Sequence, residues 1–393
     1  MQYNFNAEVD RSKNFSVKYD EMQRVFGRDD LIPLWIADMD LPTAQPIIDA
    51  IDQRNKQGIY GYTSRPASYF RAVCDWQERR NGWKIDPSLV SFALGVVPAL
   101  CTIVREFSSP GDKVAFFTPV YSEFFNVVED WDRQPITCQL NEKDGYYTID
   151  FDALEKILEQ KPALFILCNP HNPVGRVWTL EELQKIGELC IRYGVKVISD
   201  EIHSDLILYG NKHIPFASIS QEFAANTISC ISATKTFNLA GLQASTTVFP
   251  NAEVKKKYDD FWSRLDVHRN NCFSLVAVEA AFTHGEEWLE QVLRHFERNM
   301  EYVQQFLKEH VPEITVRLPE CTYLLWIDCR GLGLDDQALA NFMVNDAKLA
   351  LNRGINFGKG GEGYMRLNVA CPISTLEQAM QQLKAAVDTL KNK

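Results

Sequence analysis

The feature that most constrains the fold is an alternation of short apolar runs and amphipathic segments in the middle of the chain. Four runs have the length and composition of buried strands, at 114–117, 163–168, 195–199 and 227–231. Amphipathic segments lie between them, at 150–160 and 179–193, and Thr179 with Glu182 forms a capping-box pattern at the start of the second. Strands that alternate with helices predict βαβ units and a mainly parallel sheet.

The last hundred residues follow a different pattern. We predict a helix at 286–310, a strand at 322–328, a helix at 335–346, a strand at 364–368 and a terminal helix from Leu376. Few strands among helices are typical of a smaller α+β domain. We therefore expect an α/β protein with a large domain at 46–285 and a small domain at 286–393. An N-terminal arm at 1–45 is expected to contribute to the small domain or to a partner subunit.

Charge and composition argue against several classes of protein. A net charge of −11 argues against a nucleic-acid-binding protein, because phosphate backbones attract basic surfaces. The longest apolar stretch, 90–104, is too short for a membrane span. The polar N-terminus does not predict a secretory signal, and the ten dispersed cysteines suit free thiols, so we expect a cytoplasmic protein. No His or Cys cluster has zinc-ligand spacing, so we expect no metal site.

Polar stretches follow four predicted strands, namely a further one at 91–94 and those at 163–168, 195–199 and 227–231, at the edge where an open parallel sheet binds ligands. They lie at 95–98, 169–175, 199–203 and 232–242. Each has an ordinary explanation when taken alone: a turn, a loop, a helix cap or a surface lysine. Together they supply a helix start for a phosphate, an acid at Asp200, and Lys235 beyond an apolar strand. These are the groups that pyridoxal 5′-phosphate (PLP) requires, so we predict PLP as the cofactor.

These stretches resemble a known family. The motifs NPHNPVG at 169–175, DEIH at 200–203 and SATKTFN at 232–238 look like those of fold-type-I PLP enzymes in the class I/II aminotransferase superfamily. With PLWIADMD at 33–40, YGYT at 60–63 and RLNVA at 366–370, the sequence is similar to the MalY/PatB-type cystathionine β-lyases. The resemblance covers nearly the whole chain and implies a fold-type-I transferase fold with a large and a small domain.

The resemblance implies a role for each candidate cofactor residue. Lys235 would carry PLP as a Schiff base and act as a base once substrate displaces it. Asp200 would keep the pyridine nitrogen protonated. The remaining cofactor contacts implied are Asn172 and His203 at the phenolic oxygen, Tyr121 stacked on the ring, and Val96, Val97, Ser232 and Thr234 at the phosphate.

The resemblance also implies substrate and subunit contacts. Arg366 would pair with the substrate α-carboxylate through a bidentate fork, and Ala37 and Asn172 would also contact the substrate. Tyr62 would reach the phosphate in the neighbouring subunit, so a homodimer with shared active sites is expected. Either Tyr121 or the ammonium of Lys235 would protonate the leaving sulfur, and the sequence leaves that choice open.

Two departures separate this chain from many aminotransferases of the superfamily. His203 stands where many have tyrosine, and Gln243 stands where many have an arginine that pairs with phosphate. The resemblance therefore favours a PLP-dependent carbon–sulfur β-lyase that cleaves L-cystathionine or related cysteine S-conjugates to a thiol, pyruvate and ammonia. Two alternatives remain open: an aminotransferase that uses the same residues, and a regulatory protein that binds a partner through a retained PLP fold.

Overall fold

A seven-stranded sheet forms the centre of the molecule in the computed structural model, which describes residues 1–267 and 269–392. The strands in these two ranges are β1 (Ile32–Pro33), β2 (Val90–Ala93), β3 (Lys113–Thr118), β4 (Gln134–Gln139), β5 (Asn141–Lys143), β6 (Tyr146–Thr148), β7 (Leu164–Cys168), β8 (Lys196–Asp200), β9 (Thr227–Ile231), β10 (Ser245–Val248), β11 (Thr315–Val316), β12 (Leu324–Asp328), β13 (Leu349–Ala350), β14 (Asn352–Arg353) and β15 (Tyr364–Asn368). The central sheet has the order β2-β10-β9-β8-β7-β3-β4.

Helices cover the sheets and connect their strands. They are α1 (Val17–Asp20), α2 (Met22–Phe26), α3 (Gln45–Lys56), α4 (Ala67–Asn81), α5 (Val96–Phe107), α6 (Glu123–Glu129), α7 (Phe151–Leu158), α8 (Leu180–Tyr193), α9 (Gln221–Asn226), α10 (Ala233–Thr236), α11 (Ala252–Arg264), α12 (Cys272–His284), α13 (Glu286–His310), α14 (Asp336–Asn341) and α15 (Ile373–Lys391). The predicted capping box is present at α8, where the Thr179 side chain accepts from Glu182 N at 3.2 Å and the Glu182 carboxylate accepts from Thr179 N at 2.9 Å.

The central sheet is mainly parallel because its neighbouring strands are joined by helical crossovers. The pairs β3/β4, β3/β7, β7/β8 and β8/β9 are parallel, whereas β10 runs antiparallel to both β9 and β2. Successive residues of β3 alternate between two apolar clusters, with Ala115 and Phe117 in one and Val114 and Phe116 in the other. Helices therefore cover both faces, and the carboxyl ends of the parallel strands are left to form a site.

A second, four-stranded sheet lies in the C-terminal part of the chain, in the order β11-β12-β15-β14. Arg366 on β15 stands opposite Trp326 of β12 and Asn352 of β14. The N-terminal strand β1 pairs in parallel with β13 of this region. On these contacts we propose a large domain at 46–285 and a small domain at 286–393 that the arm at 1–45 completes.

The C-terminal elements differ from the predicted ones at three boundaries. The strand predicted at 322–328 begins at Leu324, and Thr322 has a φ of 71°, which lies outside the range of a β-strand. The helix predicted at 335–346 is shorter, since α14 ends at Asn341 and a π-helical turn, Phe342–Asp346, follows it. The terminal helix begins at Ile373 rather than Leu376, because Pro372 precedes it and closes the preceding loop.

Candidate active site

A cavity of ≈ 400 Å³ lies at the carboxyl ends of the central strands and is closed on one side by the small sheet. It is lined by all but two of the residues that the sequence singled out. Those that line it are Ala37, Val96, Val97, Tyr121, Asn172, Asp200, His203, Thr234, Lys235 and Arg366. Segments far apart in sequence therefore meet at one site, as expected for an open α/β sheet.

Lys235 reaches this cavity from the short helix α10, which directly follows β9. Its Nζ donates a hydrogen bond to the Ala37 carbonyl. Burial, followed by the nearby charge of Arg366, lowers the pKa of Lys235 to about 8, although Asp38 and Asp200 act in the opposite direction. A lysine in this state is a usable nucleophile and base close to neutral pH.

Asp200 and His203 lie beside it at the end of β8. Burial raises the pKa of Asp200 to about 7, opposed first by the hydrogen bond that Ile202 N donates to Asp200 Oδ1 at 3.2 Å. Burial and the charges of Lys235 and Arg366 lower the pKa of His203 to about 3, so its imidazole is neutral. His203 Nδ1 is buried and has no hydrogen-bond partner among the described residues. The site therefore offers a desolvated acid and a neutral imidazole to a ligand.

Arg366 is a buried cation held by neutral groups. Its Nη2 donates to Asn352 Oδ1 at 2.8 Å and to the Trp35 carbonyl at 3.2 Å, and its Nη1 donates to Asn172 Oδ1 at 3.3 Å. Its guanidinium lies 4.9 Å from the ring centroid of Phe357, and burial lowers its pKa to about 10. Within the described chain it forms no ion pair, and its Nε has no partner. An anionic ligand in the cavity would supply the missing counter-charge.

The N-terminus of α5 offers backbone N–H groups to an anion at the opposite wall. Gly95 is its N-cap, and Val96 and Val97 form the first turn with Pro98 behind them. Thr234 lines the same cavity. Ser232 is not among the lining residues: its hydroxyl caps α10 by accepting from Thr234 N at 3.1 Å, donates to the Ala244 carbonyl at 2.8 Å and lies 2.8 Å from Thr234 Oγ1.

Tyr62 is the second predicted site residue outside the cavity. Its side chain is 98% exposed in the single chain, with the Arg269 guanidinium 5.4 Å from its ring centroid. Tyr121, by contrast, lines the cavity, and its backbone N–H donates to the Asn172 carbonyl at 3.2 Å. Burial raises the pKa of Tyr121 to about 12, and Glu123 contributes in the same direction, so the phenol keeps its proton.

Sequence reasoning missed several residues that shape the site. Asn352 and Phe357 both contact Arg366, and Glu123 lines the cavity beside Tyr121. Tyr323, buried just before β12, donates to the Ala37 carbonyl at 2.9 Å. None of these residues lies in the stretches that carry the sequence motifs. Their roles depend on contacts with distant parts of the chain, which a local sequence pattern does not indicate.

Over 1–267 and 269–392, no cluster of His, Cys, Asp or Glu side chains is arranged to hold a metal ion. No helix in those ranges is long and apolar enough to cross a membrane.

The fold and this site define the class of protein. The family model for aminotransferase class I and II matches residues 29–383, and the chain belongs to that family. The chain is 43% identical over 385 residues to cystathionine β-lyase PatB of Bacillus subtilis, covering 98% of this chain and 100% of that protein. These matches confirm the family and the branch expected from the motifs.

Solved structures agree with this assignment. Cystalysin from Treponema denticola, whose crystal structure contains a pyridoxal 5′-phosphate cofactor, superposes with a TM-score of 0.96 at 35% identity, covering 99% of this chain and 100% of that one. The PLP-bound C–S lyase from Staphylococcus hominis gives a TM-score of 0.91 at 31% identity, covering 98% of each chain. The predicted fold class, an α/β fold-type-I PLP transferase fold, is therefore confirmed.

Proposed function

We propose that this protein is a PLP-dependent carbon–sulfur β-lyase of the cystathionine β-lyase type. It would cleave L-cystathionine or a related cysteine S-conjugate to a thiol, pyruvate and ammonia. The observation that carries the proposal is a cavity that joins Lys235, Asp200 and an unpaired Arg366 in a chain 43% identical to a cystathionine β-lyase. Relatives and structural neighbours named as lyases support the lyase over the aminotransferase alternative.

The residues of the cavity fit PLP. Asp200 is a buried acid suited to a protonated ring nitrogen, and Lys235 is an amine with a lowered pKa suited to an aldehyde. The free N-terminus of α5 suits a phosphate, and the unpartnered Nδ1 of His203 lies in the wall between them. Asn172, His203 and Tyr121 would hold the ring, and Val96, Val97 and Thr234 the phosphate, with Ser232 supporting Thr234. PLP when bound supplies an electron sink that makes the substrate Cα–H bond acidic.

The protein's own groups would then carry out the elimination. Arg366 binds the substrate carboxylate, and Asn172, Asn352 and the Trp35 carbonyl fix the plane of its guanidinium. Lys235 takes the Cα proton, and the Cβ–S bond breaks with its electron pair leaving on sulfur. A proton from Tyr121 or from the Lys235 ammonium completes the thiol. The released 2-aminoacrylate hydrolyses in water to pyruvate and ammonia.

The test of this proposal compares elimination with transamination, which both begin with loss of the Cα proton. We expect pyruvate and thiol formation from L-cystathionine to exceed transamination of alanine or aspartate by at least roughly tenfold in kcat/KM, or about 1.4 kcal/mol in barrier. Pyruvate and free thiol are assayed together in one reaction. Equal rates, or faster transamination, would overturn the lyase proposal and leave the cofactor assignment intact.

The proposal includes a cytoplasmic homodimer with shared active sites. Ile59, Tyr60 and Tyr62 expose apolar side chains side by side, which is typical of a surface that a second subunit covers. We expect a dimer in sedimentation at assay concentration.

Because Tyr62 is fully exposed in the single chain, Tyr62→Ala should leave the subunit fold intact. It should weaken PLP binding by at least roughly tenfold, the loss of one good hydrogen bond to phosphate.

The matched control for Tyr62→Ala is Ile191→Ala, which removes a partly exposed apolar side chain from α8. PLP affinity is measured by titrating the protein stripped of cofactor. A fully active monomer at assay dilution, or equal PLP affinity in the two variants, would count against the shared site.

A further inference from the structure

The segment 35–38 presents its backbone carbonyls to the side chains of the site. The Trp35 carbonyl accepts from Arg366 Nη2 at 3.2 Å, and Asn368 Nδ2 donates to the carbonyls of Ile36 at 2.7 Å and Asp38 at 2.6 Å. The segment is neither helix nor strand, so these oxygens are free to accept from side chains. Its position therefore affects both the carboxylate-binding arginine and the catalytic lysine.

The Ala37 carbonyl differs from the other carbonyls of the segment 35–38 in accepting two side-chain donors. One is Lys235 Nζ, and the other is the hydroxyl of Tyr323 at 2.9 Å. A carbonyl oxygen has two lone pairs and can accept both bonds, but two donors on one oxygen weaken each other. The phenol of Tyr323 thus competes with the lysine for the same acceptor.

Tyr323 is held firmly in place. Its side chain is 1% exposed, its ring centroid lies 5.4 Å from that of Phe296, and its carbonyl accepts from Val369 N at 2.9 Å. Burial, followed by the charge of Asp38, raises the pKa of its phenol, so the hydroxyl stays a donor at any pH at which the enzyme works.

The other side of the segment is fixed by an ionic cluster. Lys18, fully buried, pairs with Asp40 at 2.6 Å, and Arg11 pairs with Asp40 at 2.6 Å and Asp38 at 2.8 Å. Asn238, which follows Lys235 on the chain, donates to the Met39 carbonyl at 2.9 Å. The segment is therefore anchored without Tyr323, and removing the phenol hydroxyl need not displace it.

We propose that Tyr323 is a positioning residue for the reaction, which sets the proton affinity of the free Lys235 amine through the carbonyl that the two side chains share. The inference rests on the proposed function for its catalytic consequence. When the amine is free, its Nζ donates a hydrogen bond to Ala37 O, and the ammonium form donates a stronger one than the neutral amine. By weakening that bond, Tyr323 favours the unprotonated amine, which is the form that accepts the Cα proton.

Other groups around Lys235 also influence its titration. Arg366 from β15 faces it and disfavours its ammonium form, whereas Asp200 from the end of β8 and Asp38 from the segment favour that form. His203 is neutral and Tyr121 keeps its proton, so neither changes charge in the working range. Substitutions at Tyr323 leave all five of these groups in place, so a change in the pKa of Lys235 can be attributed to Tyr323.

The test measures the reactivity of Lys235 directly, apart from turnover. Full-length protein stripped of PLP is labelled with acetic anhydride across a pH series, and the Lys235 peptide is quantified by mass spectrometry. In Tyr323→Phe we expect the apparent pKa of Lys235 to rise by about 0.5 to 1 unit, because Ala37 O becomes a better acceptor for the ammonium. Site-specific 3-fluorotyrosine at 323 keeps the shape and is a stronger donor, so it should shift the pKa downward.

The second measurement is the pH dependence of turnover by the holoenzyme. Because the lysine must be unprotonated to accept the Cα proton, the acidic limb of kcat should move to higher pH in Tyr323→Phe by the same interval. At a pH on that limb, kcat for L-cystathionine should fall roughly three- to tenfold, with KM changed less than about threefold. The matched control is Tyr258→Phe, which removes another buried hydroxyl, at 3.3 Å from Thr247 Oγ1 and outside the site.

The outcomes separate this inference from the proposed function. Opposite shifts in the two Tyr323 variants, with none in Tyr258→Phe, support the positioning role even where cystathionine cleavage is absent, and that absence would count only against the lyase proposal. A Lys235 pKa that is unchanged in both Tyr323 variants would overturn the positioning role of Tyr323. If Tyr323→Phe does not fold, the protein with 3-fluorotyrosine at 323 is sufficient for the test. An unshifted Lys235 pKa in that protein would contradict the competition between Tyr323 and Lys235 for Ala37 O.

Discussion

Replacing Lys235 with alanine is expected to lower lyase turnover by at least roughly a thousandfold, because it removes both the covalent anchor of PLP and the base. Lys235 is the one lysine among the cavity-lining residues of the described chain, so no second amine is placed to substitute for it. The loss is measured as pyruvate formation from L-cystathionine. The purified wild-type protein should be yellow, and borohydride should remove the absorption band by fixing the cofactor to the Lys235 peptide.

The comparison protein for this prediction is Lys84→Ala, which removes an exposed lysine. That protein should keep the absorption band, the borohydride-labelled peptide and full turnover. A Lys235→Ala protein with the same band and full turnover would show that the central assignment is wrong. Retention of PLP without turnover would be consistent with the assignment of Lys235, since the phosphate site and Asp200 do not depend on the lysine.

Arg366→Ala is expected to lower kcat/KM by roughly 10²- to 10³-fold while PLP remains bound. Loss of one partner from a buried, hydrogen-bonded charge pair costs about 3 to 4 kcal/mol, which corresponds to that factor. The protein groups left behind by the substitution, Asn172, Asn352 and the Trp35 carbonyl, are neutral, so the cost falls on the bound substrate, whose carboxylate loses its counter-charge. Among the proposed cofactor contacts, Asn172 is hydrogen-bonded to Arg366 and the others come from different strands, so PLP should stay bound and keep its absorption band.

Arg366→Lys tests whether charge alone is sufficient. An ammonium keeps the positive charge but cannot supply two parallel hydrogen bonds to a carboxylate, so this variant should also be poor. Arg192→Ala, at an exposed position on α8, is the control. Steady-state kinetics with L-cystathionine check all three proteins, and normal kinetics in both Arg366 variants would require a different carboxylate anchor.

Much of the fold could be predicted from the sequence because its signals are local. The runs that became β3, β7, β8 and β9 are apolar throughout, and a strand buried on both faces has that composition wherever it lies in a sheet. Strands that run in one direction end at one edge, so the polar stretches after β2, β7, β8 and β9 were expected to meet, and the cavity contains residues from each of those four stretches.

Local patterns could not predict how residues from different sheets pair. Ser232 is expected at the phosphate, and that expectation stays a prediction; the structure adds that its hydroxyl caps α10 and lies 2.8 Å from Thr234 Oγ1, two contacts that a local pattern could not predict. The length of α14 was also misjudged, since apolar spacing continues through the π-helical turn that ends it. Tyr62 lies outside the cavity of its own chain, so a single chain cannot complete the contact expected of it.

The sequence by itself determined the mainly parallel sheet, the family and the identity of the groups that meet at the strand ends. Only the tertiary structure decided how those groups are held: Arg366 by Asn172, Asn352 and Trp35, and Lys235 by the carbonyl it shares with Tyr323. The reason is physical. Periodicity and composition report which face of an element is buried, whereas Ala37 lies 198 residues from Lys235 and 286 from Tyr323, and their contact depends on how two sheets and an irregular segment pack together.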